Sequence, residues 1–482
     1  MGGLQNDPFC RPPKEGEEVM YHMNEGGGCS SMVALPEATA DGSTIFGKNS
    51  DRPLNESQPF CFYPARDYPE RAQVECTYIR IPQASHTYAC FGSRPYAIFG
   101  FEIGVNERGV VIGNEAVYGR EIPERRWGLL GMDILRLALE RADNAANAVT
   151  VMGELLETYG TGGNPATRDQ RFNGNYIIAD AKDAYRFESM QRCWVAKKIE
   201  HVGYLSNCYS IRDDYDRIGR DTLRTAAEKG WTLPGERIDA ANCFTRSDLV
   251  FADVKSFLRF PRLRYLMEGR EPFTPKMMMQ NLRDHYEGTP QESLFYGRAA
   301  AKVPGVCGHS GGLSGSTSAA SAVVVIRADA PEPLRFTYWN SMSPPCCSVF
   351  RPFYNIHWLP EDLQHAHALF DERDQWWVFI ALERYIALNY DRFAPVVQER
   401  FQALEDDFLQ EAASLEKFFD GNVEPLRAFS LHASCQSVQL AKDCLNEIKS
   451  KLKTTDIDRL LLDYFQLSAE GCGMPYDQRV IR

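Results

Sequence analysis

Residues 26–52 read GGGCSSMVALPEATADGSTIFGKNSDR, three glycines and a cysteine followed by two short apolar stretches. Residues 31–35 and 44–47 have the composition of strands, and the Asp41-Gly42 pair between them is a turn signal. The segment therefore predicts a two-stranded β-hairpin, with Cys29 at the start of the sequence segment and residues 48–51 at its end.

The glycines before Cys29 leave its preceding peptide bond sterically open. This suits either attack of the Cys29 thiol on its own preceding carbonyl or removal of a short leader. Both events leave Cys29 with a free α-amine, whose unperturbed pKa is about 7.7–8.0. Such an amine can accept the thiol proton, so nucleophile and base lie on one residue. Residues 1–28 are therefore predicted to be a disordered leader or propeptide. The alternative is a buried structural thiol after a flexible tail.

Composition excludes several classes of protein. The chain has 482 residues, of which 24% are charged, and a net charge of −12. Its basic residues are scattered, so no nucleic-acid partner is expected. No apolar run reaches the roughly 20 residues of a membrane-spanning helix, and the N-terminus lacks the pattern of a secretory signal. We therefore expect a cytoplasmic protein whose 14 cysteines are reduced.

The hydrophobic pattern changes along the chain. Short apolar runs separated by turns predict strands in residues 74–118, including 97–101, and hairpins within 176–187 and 318–339. Helical periodicity appears in residues 129–159, with a break at Asp143 and Asn144. The chain beyond Pro360 is mainly helical, and the predicted helices are 376–388, 396–419 and 438–467. Residues 194–196 and 201–205 are predicted to continue one sheet. The pattern indicates an α+β protein with helices packed on antiparallel sheets.

Four blocks of sequence resemble one family. The stretch from Cys29 to Arg52 resembles the opening of secernins and of related bacterial cysteine dipeptidases. Its cysteine, its Asp-Gly turn and residues 47–51 also resemble choloylglycine hydrolases and penicillin V acylases. Residues 104–117, 205–211 and 344–353 are secernin-like and follow in the family order. The resemblance implies an α+β, four-layer αββα N-terminal-nucleophile (Ntn) hydrolase fold. It implies a catalytic domain at 29–358 and a mainly helical C-terminal extension at 359–482.

The resemblance also assigns roles to single residues. Cys29 would be the nucleophile and its α-amine the base. Asp51 would orient the nucleophile, as the third group of a catalytic triad does. Asn207 and Asn114 would stabilise the oxyanion, although Asp and Asn are also common in turns and caps. The site arginine would come from residues 258–262, with Arg259 preferred and Arg262 as the alternative.

The implied activity is that of a cysteine-type dipeptidase of peptidase family C69, acting on a dipeptide or small amide. Acylase relatives have arginine where this chain has Lys48, and lysine cannot repeat a bidentate guanidinium contact. The lysine favours the dipeptidase and secernin side. An N-acyl amide hydrolase and a non-hydrolytic secernin-like protein acting in exocytosis are the alternatives. Cys29 would be freed by autoproteolysis, by trimming or by a later start at Met20 or Met23.

Other chemistries have weaker support. The Gly/Ser-rich residues 309–318 lack the G-x-S-x-G elbow of serine hydrolases. The nine histidines are dispersed, and His365 and His367 are too close in sequence to share a helix face as an HExxH pair does. We therefore expect no cofactor and no metal site. No membrane partner is expected, and a homo-oligomer is left open.

Overall fold

The structure is a computed structural model, and it describes most of the chain. The described ranges are residues 28–123, 128–166, 170–246, 254–292, 305–310, 316–365 and 367–474. Except for Gly28, the predicted leader lies outside these ranges. No helix within them is long and apolar enough to cross a membrane.

Strands form two large antiparallel sheets and two small ones. In chain order the strands are β1 (Ser30–Ala34), β2 (Thr44–Pro53), β3 (Phe60–Tyr63), β4 (Arg66–Asp67), β5 (Gln73–Glu75), β6 (Arg80–Pro82), β7 (His86–Thr87), β8 (Cys90–Ser93), β9 (Ile103–Asn106), β10 (Val111–Val117), β11 (Asn173–Ala179), β12 (Ala184–Met190), β13 (Cys193–Ile199), β14 (Val202–Leu205), β15 (Arg217–Ile218), β16 (Ser316–Ile326), β17 (Phe336–Met342) and β18 (Arg351–Tyr354). The six-stranded sheet has the order β14-β1-β2-β16-β17-β18, and the eight-stranded sheet has the order β15-β13-β12-β11-β10-β9-β8-β3.

The helices lie outside these sheets. In chain order they are α1 (Gly131–Arg141), α2 (Ala145–Tyr159), α3 (Thr222–Glu228), α4 (Ala240–Phe244), α5 (Val254–Met267), α6 (Pro275–Leu282), α7 (Gln375–Ala387), α8 (Tyr390–Lys417), α9 (Glu424–Lys451) and α10 (Arg459–Glu470). The predicted break at residues 143–144 is confirmed, because the Asn144 side chain accepts a hydrogen bond from the Asn147 amide and so starts α2 afresh.

The β1–β2 hairpin is confirmed and longer than predicted. Its connection turns at Asp41, whose carboxylate accepts hydrogen bonds from the Ser43 amide (3.1 Å) and hydroxyl (2.6 Å). Gly42 follows with a φ of +74°, a left-handed conformation that glycine adopts without a steric cost. Both strands are buried along their whole length, because the sheet is covered on both faces.

The two large sheets lie face to face, with β1 in contact with β10 and β11. Phe46, Phe91 and Ile103 belong to the apolar core between them. Helices α1 and α2 cover the outer face of the eight-stranded sheet. Burial of the apolar faces of both sheets and of their helices is the main stabilising contribution in such an architecture.

The outer face of the six-stranded sheet carries two groups of helices. Helices α5 and α6 pack on β1, β2 and β14, whereas α7 and α9 pack on β17 and β18. One apolar core runs from Met32 to Met474. The layers are therefore α, β, β and α, which confirms the predicted α+β fold class. The predicted domain boundary at residue 359 stays a prediction, although helices beyond it share this core.

Three predictions from sequence pattern were wrong. Residues 97–101 form turns and bends rather than a strand. In this segment Gly100 passes so close to the Met132 backbone that a Cβ on it would lie 2.1 Å from Met132. The predicted helix at 438–467 is two helices, α9 and α10, separated by residues 452–458. Strand β14 does not continue the sheet of β13 but crosses to pair with β1.

Candidate active site

The strand register brings separate parts of the chain to one end of the six-stranded sheet. Ser30 pairs with Asn49 and Ser31 pairs with Leu205, both in antiparallel register. Asp51 is two residues after Asn49, and Asn207 is two residues after Leu205. Both therefore lie near Cys29. Strand β16 adds Ser318, which pairs with Asp51. The crossing of β14 between sheets is what places Asn207 here.

Cys29 is 5% exposed, and its thiol is held by the backbone of β2. The Asp51 amide donates a hydrogen bond to Cys29 Sγ at 3.3 Å. Burial raises the pKa of the thiol to about 12, and the ammonium of Lys48 opposes that rise. At neutral pH the thiol is therefore protonated, and a nearby base is needed to make it a nucleophile.

The Asp51 carboxylate lies between Gly28 and Ser318. It accepts a hydrogen bond from Ser318 Oγ at 2.6 Å and a backbone hydrogen bond from Gly28. Burial raises the pKa of this carboxyl, and the Arg259 guanidinium is the strongest opposing influence. Asp51 thus contacts Gly28 through its side chain and Cys29 through its backbone.

Arg259 is the side chain that joins these groups. It is 1% exposed, and its Nη1 donates to the carbonyl oxygens of Gly28 and Cys29, the latter at 2.8 Å. Its Nη2 donates to Asn207 Oδ1 at 2.7 Å. Arg262, the alternative from sequence, instead forms an ion pair with Asp284. Of the two arginines, the structure brings Arg259 to Cys29.

Glycine is required at position 28 by the approach of this arginine. A Cβ on Gly28 would lie 2.4 Å from Arg259 Nη2 and 2.5 Å from its Cζ. The guanidinium cannot move aside without losing its bonds to Cys29 and Asn207. Close packing against Arg259 is thus a second reason for glycine at position 28, besides its conformational freedom.

The two asparagines differ in their surroundings. Asn207 donates through Nδ2 to the Ala116 carbonyl at 2.8 Å while its oxygen accepts from Arg259, so its amide plane is fixed beside Cys29. Asn114 lies on β10 and lines the same cavity as Cys29. Its amide nitrogen faces Glu102 and donates to that carboxylate. Asn207 is thus fixed by its contacts with Ala116 and Arg259, whereas Asn114 lines the cavity, and both oxyanion roles stay predictions.

Cys29 lines a small cavity of about 20 Å³. The cavity lies at the same end of the sheets as Asp51. Its lining residues are Cys29, Asp51, Arg52, Pro53, Glu102, Asn114, Ala116, Tyr118, Gln170 and Phe172. Arg52 pairs with Glu102 at 2.9 Å and also with Glu56, so the charged groups of the cavity wall are paired with one another.

Sequence reasoning missed a buried ion pair near Cys29. Lys48 Nζ lies 3.6 Å from the Glu115 carboxylate, and both side chains are fully buried. Burial raises the pKa of Glu115 to about 7. Burial lowers the pKa of Lys48, but the Cys29 and Glu115 charges outweigh this and raise it. Lys48 therefore remains an ammonium that favours the Cys29 thiolate. A lysine within an apolar strand was the available signal for this role.

Comparison with known proteins gives a partial match. Residues 39–217 match the family model described as acyl-coenzyme A:6-aminopenicillanic acid acyl-transferase. That stretch contains Asp51, Asn114 and Asn207, but it begins after Cys29 and ends before Arg259.

Several solved structures are also similar to this chain. A mutant of conjugated bile acid hydrolase from Clostridium perfringens is 13% identical, with 70% of this chain and 95% of that chain covered and a TM-score of 0.37. Penicillin V acylase from Agrobacterium tumefaciens is 13% identical, with 68% and 85% covered and a TM-score of 0.33. The Caenorhabditis elegans ortholog of N-acylethanolamine-hydrolyzing acid amidase is 12% identical, with 61% and 92% covered and a TM-score of 0.30. The resemblance to secernins and cysteine dipeptidases stays a prediction.

Proposed function

We propose that the chain is a cysteine amide hydrolase in which Cys29 becomes an N-terminal nucleophile. The observation that carries this proposal is the contact of Arg259 with the Gly28 carbonyl, next to the buried Cys29 thiol. A cationic donor that contacts this carbonyl suits stabilisation of an oxyanion on it. After residues 1–28 have been released, the same groups act on substrates.

The first step frees the nucleophile. The Cys29 thiol attacks the Gly28 carbonyl carbon, and the oxygen of the tetrahedral intermediate carries its negative charge beside Arg259 Nη1. The carbon–nitrogen bond then breaks, the nitrogen takes up the thiol proton, and a thioester links Gly28 to Cys29 Sγ. Water hydrolyses this thioester, which releases the leader as a carboxylic acid and restores the thiol. Cys29 now carries a free α-amine.

The second step is turnover of substrate. The α-amine accepts the thiol proton because its unperturbed pKa, about 7.7–8.0, suits proton exchange near neutral pH. The thiolate attacks the substrate carbonyl, and the Asn207 amide stabilises the oxyanion. The α-ammonium gives its proton to the leaving amine, which departs and leaves an acyl-thioester on Cys29. Water, deprotonated by the same amine, hydrolyses the thioester and completes the cycle.

Mass spectrometry of the intact purified protein tests the first step. We expect the mature chain to begin at Cys29. Gly28→Ala is expected to slow this cleavage strongly, because the added Cβ displaces the Arg259 guanidinium from the carbonyl. Gly27→Ala, one residue farther from the scissile bond, is the matched control and should process normally. A fully active enzyme that keeps residues 1–28 would contradict the proposal. Equal processing of both variants would assign the release to trimming rather than to self-cleavage.

The finer proposal is that the substrate is a dipeptide. The paired charges of Arg52 and Glu102 in the cavity wall suit the carboxylate and the ammonium of an unblocked dipeptide. A long acyl chain would find fewer partners there. N-acyl amides are the second candidate, on the similarity of residues 39–217 to an acyl-transferase family. A non-hydrolytic secernin-like role in exocytosis is the third.

A substrate panel on the mature protein distinguishes these candidates. We expect kcat/KM for free dipeptides to exceed that for their N-acetylated forms by about 10-fold or more, the cost of losing a charged hydrogen bond. The reaction should need no added metal and should survive brief exposure to EDTA. A preference for N-acyl amides would replace the dipeptidase proposal. Absence of all amide hydrolysis by a chain that begins at Cys29 would favour the non-hydrolytic role.

A further inference from the structure

A second cluster of reactive side chains lies away from the cavity, on the far side of Asp51. It consists of His285, Cys307, His309 and Cys346, and we call it the Cys2His2 cluster. One ligand atom from each residue lies within 4.8 Å of each of the others, and the side chains are buried. We propose that the Cys2His2 cluster binds one Zn²⁺ ion that holds the chain in place behind the active site.

The spacing of the ligand atoms fits a tetrahedral ion. With the usual Zn–N and Zn–S bond lengths, a tetrahedron has edges of about 3.3 Å between two nitrogens and about 3.6 Å between nitrogen and sulfur. His285 Nε2 and His309 Nε2 are 3.3 Å apart, and Cys307 Sγ is 3.6 Å from His309 Nε2. The His309 Nε2–Cys346 Sγ edge is shorter, at 3.1 Å. Two of these three separations match a tetrahedral zinc site, and all four donor atoms lie within 4.8 Å of one another.

The histidine rings are oriented as metal ligands are. His285 Nδ1 lies 3.2 Å from the Glu287 carboxylate, and His309 Nδ1 lies 3.2 Å from the Glu383 carboxylate. A carboxylate partner keeps the proton on Nδ1, so the lone pair of each neutral ring is on Nε2. These two lone pairs point towards each other across 3.3 Å. A cation between them turns a repulsive contact into two bonds.

The donor set selects the ion. Two thiolates and two imidazoles are the ligands of structural zinc sites, and thiolate disfavours Mg²⁺ and Ca²⁺. Two thiolates neutralise the charge of Zn²⁺, which reduces the cost of burying it. Tyr390 donates from its hydroxyl to Cys346 Sγ at 3.3 Å, as groups around a metal-bound sulfur do.

The ligands come from three segments of the fold. His285 follows α6, Cys307 and His309 precede β16, and Cys346 lies in the short helical turn Pro345–Cys347. An ion bound to all four residues cross-links these segments as a disulfide would. It also fixes Gly308, which lies between two ligands.

Gly308 connects the Cys2His2 cluster to the active site. Its amide donates to Ser318 Oγ at 2.9 Å, and that hydroxyl donates to Asp51 Oδ1 at 2.6 Å. A Cβ on Gly308 would lie 2.5 Å from Asp51 Oδ2. The ion would therefore position Asp51 through this stretch of chain without touching substrate.

Metal analysis of the full-length protein, purified under reducing conditions in zinc-containing medium, tests the proposal. We expect about one Zn²⁺ per chain by elemental mass spectrometry. Cys307→Ser and Cys346→Ser should each lower this content at least about 10-fold. Cys347→Ser is the matched control, since its sulfur lies 3.6 Å from Cys346 Sγ but is not one of the four ligand atoms. This control should keep its zinc.

Cobalt supplies a readout that does not depend on activity or on how well the variants fold. The wild-type protein, unfolded, stripped of metal and refolded with Co²⁺, should show the visible bands of tetrahedral cobalt and the near-ultraviolet band of thiolate coordination. Cys29→Ala should keep both the zinc and these spectra, which separates this proposal from the catalytic one. Wild-type protein that binds neither metal, binds iron or copper in place of zinc, or loses its metal only with Cys29→Ala would overturn the assignment.

Discussion

Cys29→Ala is expected to abolish amide hydrolysis while leaving the fold intact. The substitution removes the only sulfur among the described residues that line the cavity, and loss of a covalent nucleophile typically costs on the order of 10⁴ to 10⁶-fold in kcat. The variant should also keep residues 1–28, because no thiol is left to attack the Gly28 carbonyl. Steady-state kinetics and intact mass on the same preparation measure both effects.

Cys61→Ala is the matched control for this variant. Cys61 is also buried, and its pKa is also raised by burial, but it lies on β3 and donates to the Gln364 carbonyl. We expect normal processing and nearly normal kcat. If Cys29→Ala hydrolysed amides at the wild-type rate, the nucleophile would lie elsewhere and the proposed function would be wrong.

Asn207→Ala is expected to lower kcat by about 10²- to 10³-fold, the usual cost of one lost oxyanion donor. KM should change much less, because the interaction is made mainly in the transition state. The measurement is kcat and KM on protein that begins at Cys29, together with its melting temperature. A small drop in melting temperature is expected from the lost contacts to Ala116 and Arg259.

Asn175→Ala provides the comparison for Asn207. Asn175 is also a buried asparagine, and it bonds to the Cys208 carbonyl and the Ser189 amide, whereas Asn207 bonds to Arg259, which itself contacts Cys29. Its loss should lower stability by about 1–3 kcal/mol, the cost of unsatisfied buried groups, and leave kcat of the folded enzyme normal. If Asn207→Ala behaved in the same way, Asn207 would be a structural residue and not a member of the site.

Local sequence was enough for some of the site and not for the rest. Cys29 and Asp51 belong to one hairpin, so their proximity follows from residues close together in the chain. Local sequence could not decide between Arg259 and Arg262, because the choice depends on contacts with Gly28 and Asn207, which are far away in sequence. Ser318 had no sequence signal at all, since its role arises only from the pairing of β16 with β2.

The same reasoning explains the missed Cys2His2 cluster. Its ligands at 285, 307, 309 and 346 have none of the short spacings by which zinc motifs are found. Only the folded chain brings the three segments together. The fold class, in contrast, follows from hydrophobic periodicity and the family resemblance, which act over whole elements. The crossing of β14 to the other sheet depended on its pairing with β1, which no local pattern records.

The strand register also determines how much of the chain must be synthesised before the proposed chemistry of Cys29 can begin. Strand β1 needs β14, and β2 needs β16, whose last residue is Ile326. A ribosome adding about 5–20 residues per second reaches that residue roughly 15–65 s after starting the chain. Strand β14 is made earlier, but until Ile326 has been added β2 lacks β16, and Asp51 lacks Ser318. If Cys29 acts as proposed, it therefore stays inert until residue 326 of the 482 has been added.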